Sequence, residues 1–151
     1  SQLELGAMCS IGRGVPQDYQ EALRWFMLSA EQGNISAQSN LAAMYYQGQG
    51  VPRDLVKAFE WYRLSAEQGR GSSQIVFGQM YLAGEGCDQD ALEAYKWLTL
   101  GLRHLETYPE IDTSHVRSAA VANLEICKAE LTADQISIAN SQISLWEADQ
   151  Q

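Results

Sequence analysis

Long apolar runs are absent from these 151 residues, and no segment approaches the ~20 apolar residues that a membrane span needs. No basic stretch leading into an apolar one opens the chain, so no secretory leader is visible in it. Positive charge is scarce. Ten Lys+Arg stand against nineteen Asp+Glu, a net charge of −9, which argues against nucleic acid as a partner. The deficit is concentrated late, since residues 104–151 hold eight acidic and only two basic side chains. Cysteine is also sparse. Cys9, Cys87 and Cys127 cannot all pair within one chain, and no Cys-x-x-Cys hook occurs, which excludes a disulfide framework or a standard zinc knuckle. A single Cys87–Cys127 bridge stays open, and the redox compartment with it. What remains is ordinary for a folded domain: 46% hydrophobic and 19% charged residues.

The chain repeats itself. Trp25, Trp61 and Trp97 are spaced 36 residues apart, as are Gly12, Gly48 and Gly84; Asp18, Asp54 and Asp90; and Ala22, Ala58 and Ala94. Residues 1–33 match 37–69 at 17 of 33 positions, and 73–105 match the second copy at nine of 33, so the third copy has drifted furthest. A fixed period of this size is the mark of a repeat architecture.

Each copy reads as helix, glycine loop, helix. Ala37, Leu41, Met44 and Tyr45 fall on one helical face, and Gly48-Gln49-Gly50-Val51-Pro52 ends that helix. Asp54 is placed to cap the next helix, which carries Ala58, Trp61, Tyr62 and Ser65 on one stripe and stops at Gly69. The alanines at 22, 58 and 94 let helices approach closely, and the three tryptophans are expected to pack the core. In the third copy Cys87-Asp88 replaces Val-Pro and Leu105 replaces the terminal glycine, so its second helix is expected to run on to Tyr108 and stop at Pro109. A loop follows at 106–113, then a helix over 114–130 with Val116, Ala120, Leu124, Cys127 and Leu131 on one face. Thr132 and Gln135 form a capping box, with Leu131 and Ile136 as its hydrophobic staple. The last helix presents Ile136, Ala139, Ile143 and Trp146 at helical spacing.

The pattern from Leu41 to Gly69, Leu-x-x-Met-Tyr-x-x-Gly-x-Gly-Val-x-x-Asp-x-x-Lys-Ala-x-x-Trp-x-x-x-Ser-Ala-x-x-Gly, resembles the Sel-one-like repeat, a branch of the tetratricopeptide-type helical hairpins. The resemblance implies an all-α fold: a right-handed α/α solenoid of three hairpins over 1–33, 34–69 and 70–105, closed by a capping helix pair within 106–151. A Leu-Thr-x-x-Gln-Ile helix ending in Trp is similar to the tail of bacterial members. Ser1 aligns with Ala37 and Ser73, so the chain starts inside the first helix of its first repeat. The expectation is a chain shortened at its N-terminus or following a removed leader, in the cytoplasm or the bacterial envelope. The open first edge is then a second candidate surface, for self-association.

Catalytic patterns are missing. Some cysteine-rich relatives are linked to β-lactam hydrolysis, but they carry cysteines paired seven residues apart, and this chain has none. Ser-x-x-Lys, Gly-x-Ser-x-Gly, His-Glu-x-x-His, the P-loop and the EF-hand loop are all absent. Asp112, Ser114 and His115 suit a helix start better than a triad. His104 and His115 with Cys87 or Cys127 match no standard metal spacing. Asp88 and Asp90 read as loop solvation and a cap rather than calcium ligands. No enzyme activity, cofactor or metal is expected. The resemblance implies instead an adaptor that holds a peptide or helix of a partner protein in its concave groove, without membrane insertion. The positions placed there are Ser39, Ala43 and Tyr46, their equivalents Leu3, Ala7 and Ser10 in the first copy, and Ile75, Gln79 and Leu82 in the third, with Tyr46 as the expected anchor.

Overall fold

A computed structural model describes residues 19–110 and 114–151. Leu3, Ala7, Ser10, Cys9, the first glycine loop and Asp112 lie outside the described residues. Among those described, all regular structure is helical, in two compact units that meet in sequence at Gln68 and Gly69. The first unit holds α1 (Tyr19–Glu31), α2 (Ile35–Gln47) and α3 (Leu55–Glu67). The second holds α4 (Gly71–Ala83), α5 (Ala91–Thr107), α6 (Ser114–Glu130) and α7 (Ala133–Asp149).

The glycine loops are built alike in both units. Gly48 and Gly84 close α2 and α4 at φ 72°, in the left-handed region where a side chain is strained. Asp54 N–H donates to the Tyr45 carbonyl at 3.0 Å, and Asp90 N–H to that of Tyr81 at 2.9 Å. Arg53 Nε donates to the Tyr46 carbonyl at 3.0 Å, and Gln89 Nε2 to that of Leu82 at 2.7 Å. The exchange of Val51-Pro52 for Cys87-Asp88 leaves this frame intact, because the bonds come from the backbone and from the residues that follow. Asp54 then caps α3 through Lys57 N–H, and Asp90 caps α5 through Leu92 and Glu93 N–H, as their spacing predicts.

Caps elsewhere differ from one copy to the next. Asn34 caps α2, accepting from Ala37 N–H at 2.9 Å. Its equivalent is Arg70, which supplies no side-chain cap. Glu110, far along the chain, accepts from Ser72 N–H at 3.1 Å and lies 3.8 Å from the Arg70 guanidinium. A carboxylate at a helix N-terminus offsets both the orphan donors and the dipole.

In the second unit α5 runs through Thr107, and Tyr108 N–H caps it on His104, the expected overrun. Leu105 is fully buried and sits over Gly71. The α6 face forms as read, with Ala120 and Cys127 buried and Val116, Leu124 and Leu131 packed against the same core. The capping box is complete, with Gln135 N–H on Thr132 Oγ1 at 3.2 Å and Thr132 N–H on Gln135 Oε1 at 2.8 Å. Helix α7 runs parallel to α5, tied by Tyr95 to Asn140 at 3.0 Å and by Arg103 to Glu147 at 3.1 Å.

Two helix-interior glycines, Gly78 and Gly101, set how closely α4 and α5 approach. A methyl carbon on Gly101 would lie 2.6 Å from Ile75 Cγ1 and 2.8 Å from the Gly71 carbonyl oxygen. One on Gly78 would lie 2.9 Å from Leu98 Cγ and 3.0 Å from its nitrogen. Ala outranks Gly in a helix by ~1 kcal/mol, but overpacking of this kind costs ~1–3 kcal/mol. Gly101→Ala is therefore expected to destabilise the second unit in chemical denaturation, and a gain in stability would refute the close crossing.

Candidate protein interface

Helix α2 brings Ser39, Ala43 and Tyr46 to one side, and all three are half-buried. Ser39 spends its hydroxyl on the Ser36 carbonyl at 2.9 Å. Tyr46 is the most built of the three. The Arg53 guanidinium stands 5.7 Å from the centre of its ring while Arg53 Nε holds its carbonyl, so the ring is fixed by a residue of the following loop. The pKa of the buried Tyr62 phenol is pushed up to about 12, first by burial and then by Tyr46. Arg53 was invisible as a site residue in the sequence, because nothing marks a loop arginine as folding back on the preceding helix.

On α4, Gln79 and Leu82 are half-buried, and Leu82 packs on the edge of the second unit's core while Gln89 holds its carbonyl. Ile75 differs from expectation. It is fully buried, pressed against Gly101, and has no surface to offer a partner. Its size reflects packing, not recognition. The tryptophans at the 36-residue spacing are half-buried rather than deep in a core. Trp25 Nε1 donates to Glu21 at 3.4 Å under Arg24, and Trp97 meets Phe77 and Trp146 edge to face at 5.1 and 6.0 Å.

The groups weighed for chemistry stand apart. Cys87 and Cys127 are both free thiols. Cys87 donates to the Met80 carbonyl at 3.7 Å, and burial followed by Asp88, Asp90 and Glu85 pushes its thiol up. Burial first, then Glu130, raises Cys127 to about 11, so neither is poised as a thiolate nucleophile. Ser114 and His115 are exposed at the start of α6. His104 instead packs against Trp146, their ring centres 5.7 Å apart. Among the described residues no three His, Cys, Asp or Glu side chains gather closely enough to hold a metal. None of the described helices is long and apolar enough to cross a membrane.

The repeated loop frame, the shared caps and the 36-residue spacing have a counterpart in known proteins. The Sel1 repeat family model matches residues 1–34, 35–69 and 73–103. The chain belongs to the Sel1 repeat family. Among solved structures it is similar to a Sel1 repeat protein from Oxalobacter formigenes, 32% identical over 68% of this chain with a TM-score of 0.67. It is also similar to c5321, a protective antigen present in uropathogenic Escherichia coli strains and displaying an SLR fold, 28% identical over 96% of this chain with a TM-score of 0.76. The chain spans 42% and 29% of those two proteins' lengths. None of the curated proteins matches it. The fold class is thus the all-α helical-repeat solenoid of bacterial Sel1 proteins. Sel1 repeats are generally protein–protein interaction modules, typically without catalysis.

Proposed function

We propose that the chain is a non-catalytic adaptor that holds an extended or helical peptide of a partner protein on the first-helix face of its hairpins, the face that is concave in this class of repeat. Tyr46 is the anchor in the first unit, beside Ser39 and Ala43. Leu82, with Gln79, holds the equivalent place in the second. The observation that carries this reading is the Tyr46 ring, half-exposed yet held by Arg53 from the loop. An aromatic fixed before binding loses little entropy on contact, which is how binding hot spots behave.

Affinity capture from native lysate tests the proposal. Tyr46→Ala is expected to weaken partner retention by ~2 kcal/mol or more, the cost of truncating a hot-spot aromatic. Its melting temperature should change little, because the ring is not core. Capture that survives Tyr46→Ala combined with Leu82→Ser would move the binding site away from this face.

A further inference from the structure

A second surface lies along α5 and α7 of the second unit. The half-buried rings of Trp97 and Trp146 stand edge to face beside a cavity of about 80 Å³, closed at its base by buried Leu100 and Ile143. Glu93, Lys96 and Gln142 complete its lining, and the first two are ion-paired with each other. The space suits one aliphatic side chain.

The flank of α7 beside this cavity is not that of a solvated helix. Ile138 and Leu145 are 53% and 67% exposed, and they lie seven residues apart with Gln142 between them on the same stripe. The opposite face of α7, with Ala139 and Ile143 buried, already satisfies the core. Two large apolar residues at heptad spacing beside an open aromatic cavity are what a docked helix uses as contacts.

Charge selects the occupant. Asp134 and Asp149 bracket the stripe, and neither has an ion-pair partner among the described residues, whereas Lys128 and Arg103 are already engaged with Glu125 and Glu147. Helix α7 itself carries Asp134, Glu147 and Asp149 and no Lys or Arg, so the field along it is negative. A second copy of a chain carrying −9 would be repelled from it. We propose that the α5–α7 flank is a docking site for a basic amphipathic helix of another protein, one aliphatic side chain entering the cavity beside Trp97 and Trp146 and its Lys or Arg residues facing Asp134 and Asp149. This surface is independent of the first-helix face, so either can fail without the other.

The probe is a fluorescein-labelled synthetic helix of about 16 residues, between four and five turns, made of Leu and Lys with leucines at i, i+3, i+4 and i+7 spacing. Its anisotropy is followed on titration with the folded chain at low salt. Expected is saturable binding with a Kd of about 100 µM or tighter, weakened about tenfold by the double variant Ile138→Ser with Leu145→Ser. Ile126→Ser, a change at a residue of α6 that is 48% exposed, should leave it unaltered, and a peptide with Glu in place of Lys should not bind. Circular dichroism of each variant confirms folding. No saturable binding, equal binding of the Glu peptide, or indifference to the double variant would overturn the proposal. So would a dimer in light scattering that the double variant dissociates, since the flank would then be a self-interface.

Discussion

Phe77→Ala is expected to remove about 3–5 kcal/mol from the second unit, the ordinary cost of emptying a buried aromatic site. Phe77 is 1% exposed, and its ring meets Tyr81 and Trp97 edge to face, both at 5.1 Å. The loss has two parts. Apolar surface returns to water and a cavity opens between α4 and α5, and two aromatic contacts worth about 0.5–1.5 kcal/mol each disappear. Domain stabilities of about 5–15 kcal/mol leave little margin for this. Urea denaturation read at the tryptophans should show a lower midpoint with an unchanged slope. Phe77→Leu, which keeps most of the volume, should lose much less. A midpoint unmoved by Phe77→Ala would mean that the contact between α4 and the Trp97 side of α5 does not form.

The same region shows which features the sequence exposes and which it hides. Local chemistry is legible at Asp54, Asp90 and the Thr132–Gln135 box, because a cap depends on residues two or three positions away. The overrun of α5 is legible for the same reason: Leu105 lacks the freedom of Gly33 and Gly69, and Pro109 sets a limit. Ile75 was misleading because its environment is set by a residue on another helix. One repeat earlier the corresponding pair is Ser39 and Ser65; in the second unit it is Ile75 and Gly101. A larger side chain on α4 is accommodated by a smaller one on α5, so Ile75 sinks into the core where Ser39 remains half-buried. Read along one strand of sequence, Ile75 looks like a recognition residue. Read against Gly101, it is packing. The helix-interior glycines carry the usable signal, since a glycine that costs ~1 kcal/mol relative to alanine in a helix needs a close neighbour to justify it. The cap on α4 by Glu110 was hidden more deeply, because it couples residues 38 positions apart through a loop.

Helix α7 should fail next when its inner face is cut. Ile143 is 1% exposed, and Ile143→Ala is expected to cost about 2–5 kcal/mol. Trp146 is only half-buried, so Trp146→Ala should cost less than a core tryptophan, about 2–3 kcal/mol, made up of lost area and its contacts with Trp97 and His104. Glu147→Ala removes the 3.1 Å pair with Arg103, but both partners are solvent-exposed enough that less than about 1 kcal/mol should be lost. The order Ile143, Trp146, Glu147 is therefore the test, because it separates apolar docking from tethering by charge. Hydrogen exchange adds the location: in Ile143→Ala, amides of α7 should lose protection before those of α4 and α5, since α7 packs on α5 from one side only. A melting temperature unchanged in both Ile143→Ala and Trp146→Ala would show that α7 is not docked on α5. The cavity beside Trp97 would then lose one wall, and the proposed helix-binding flank would fall with it.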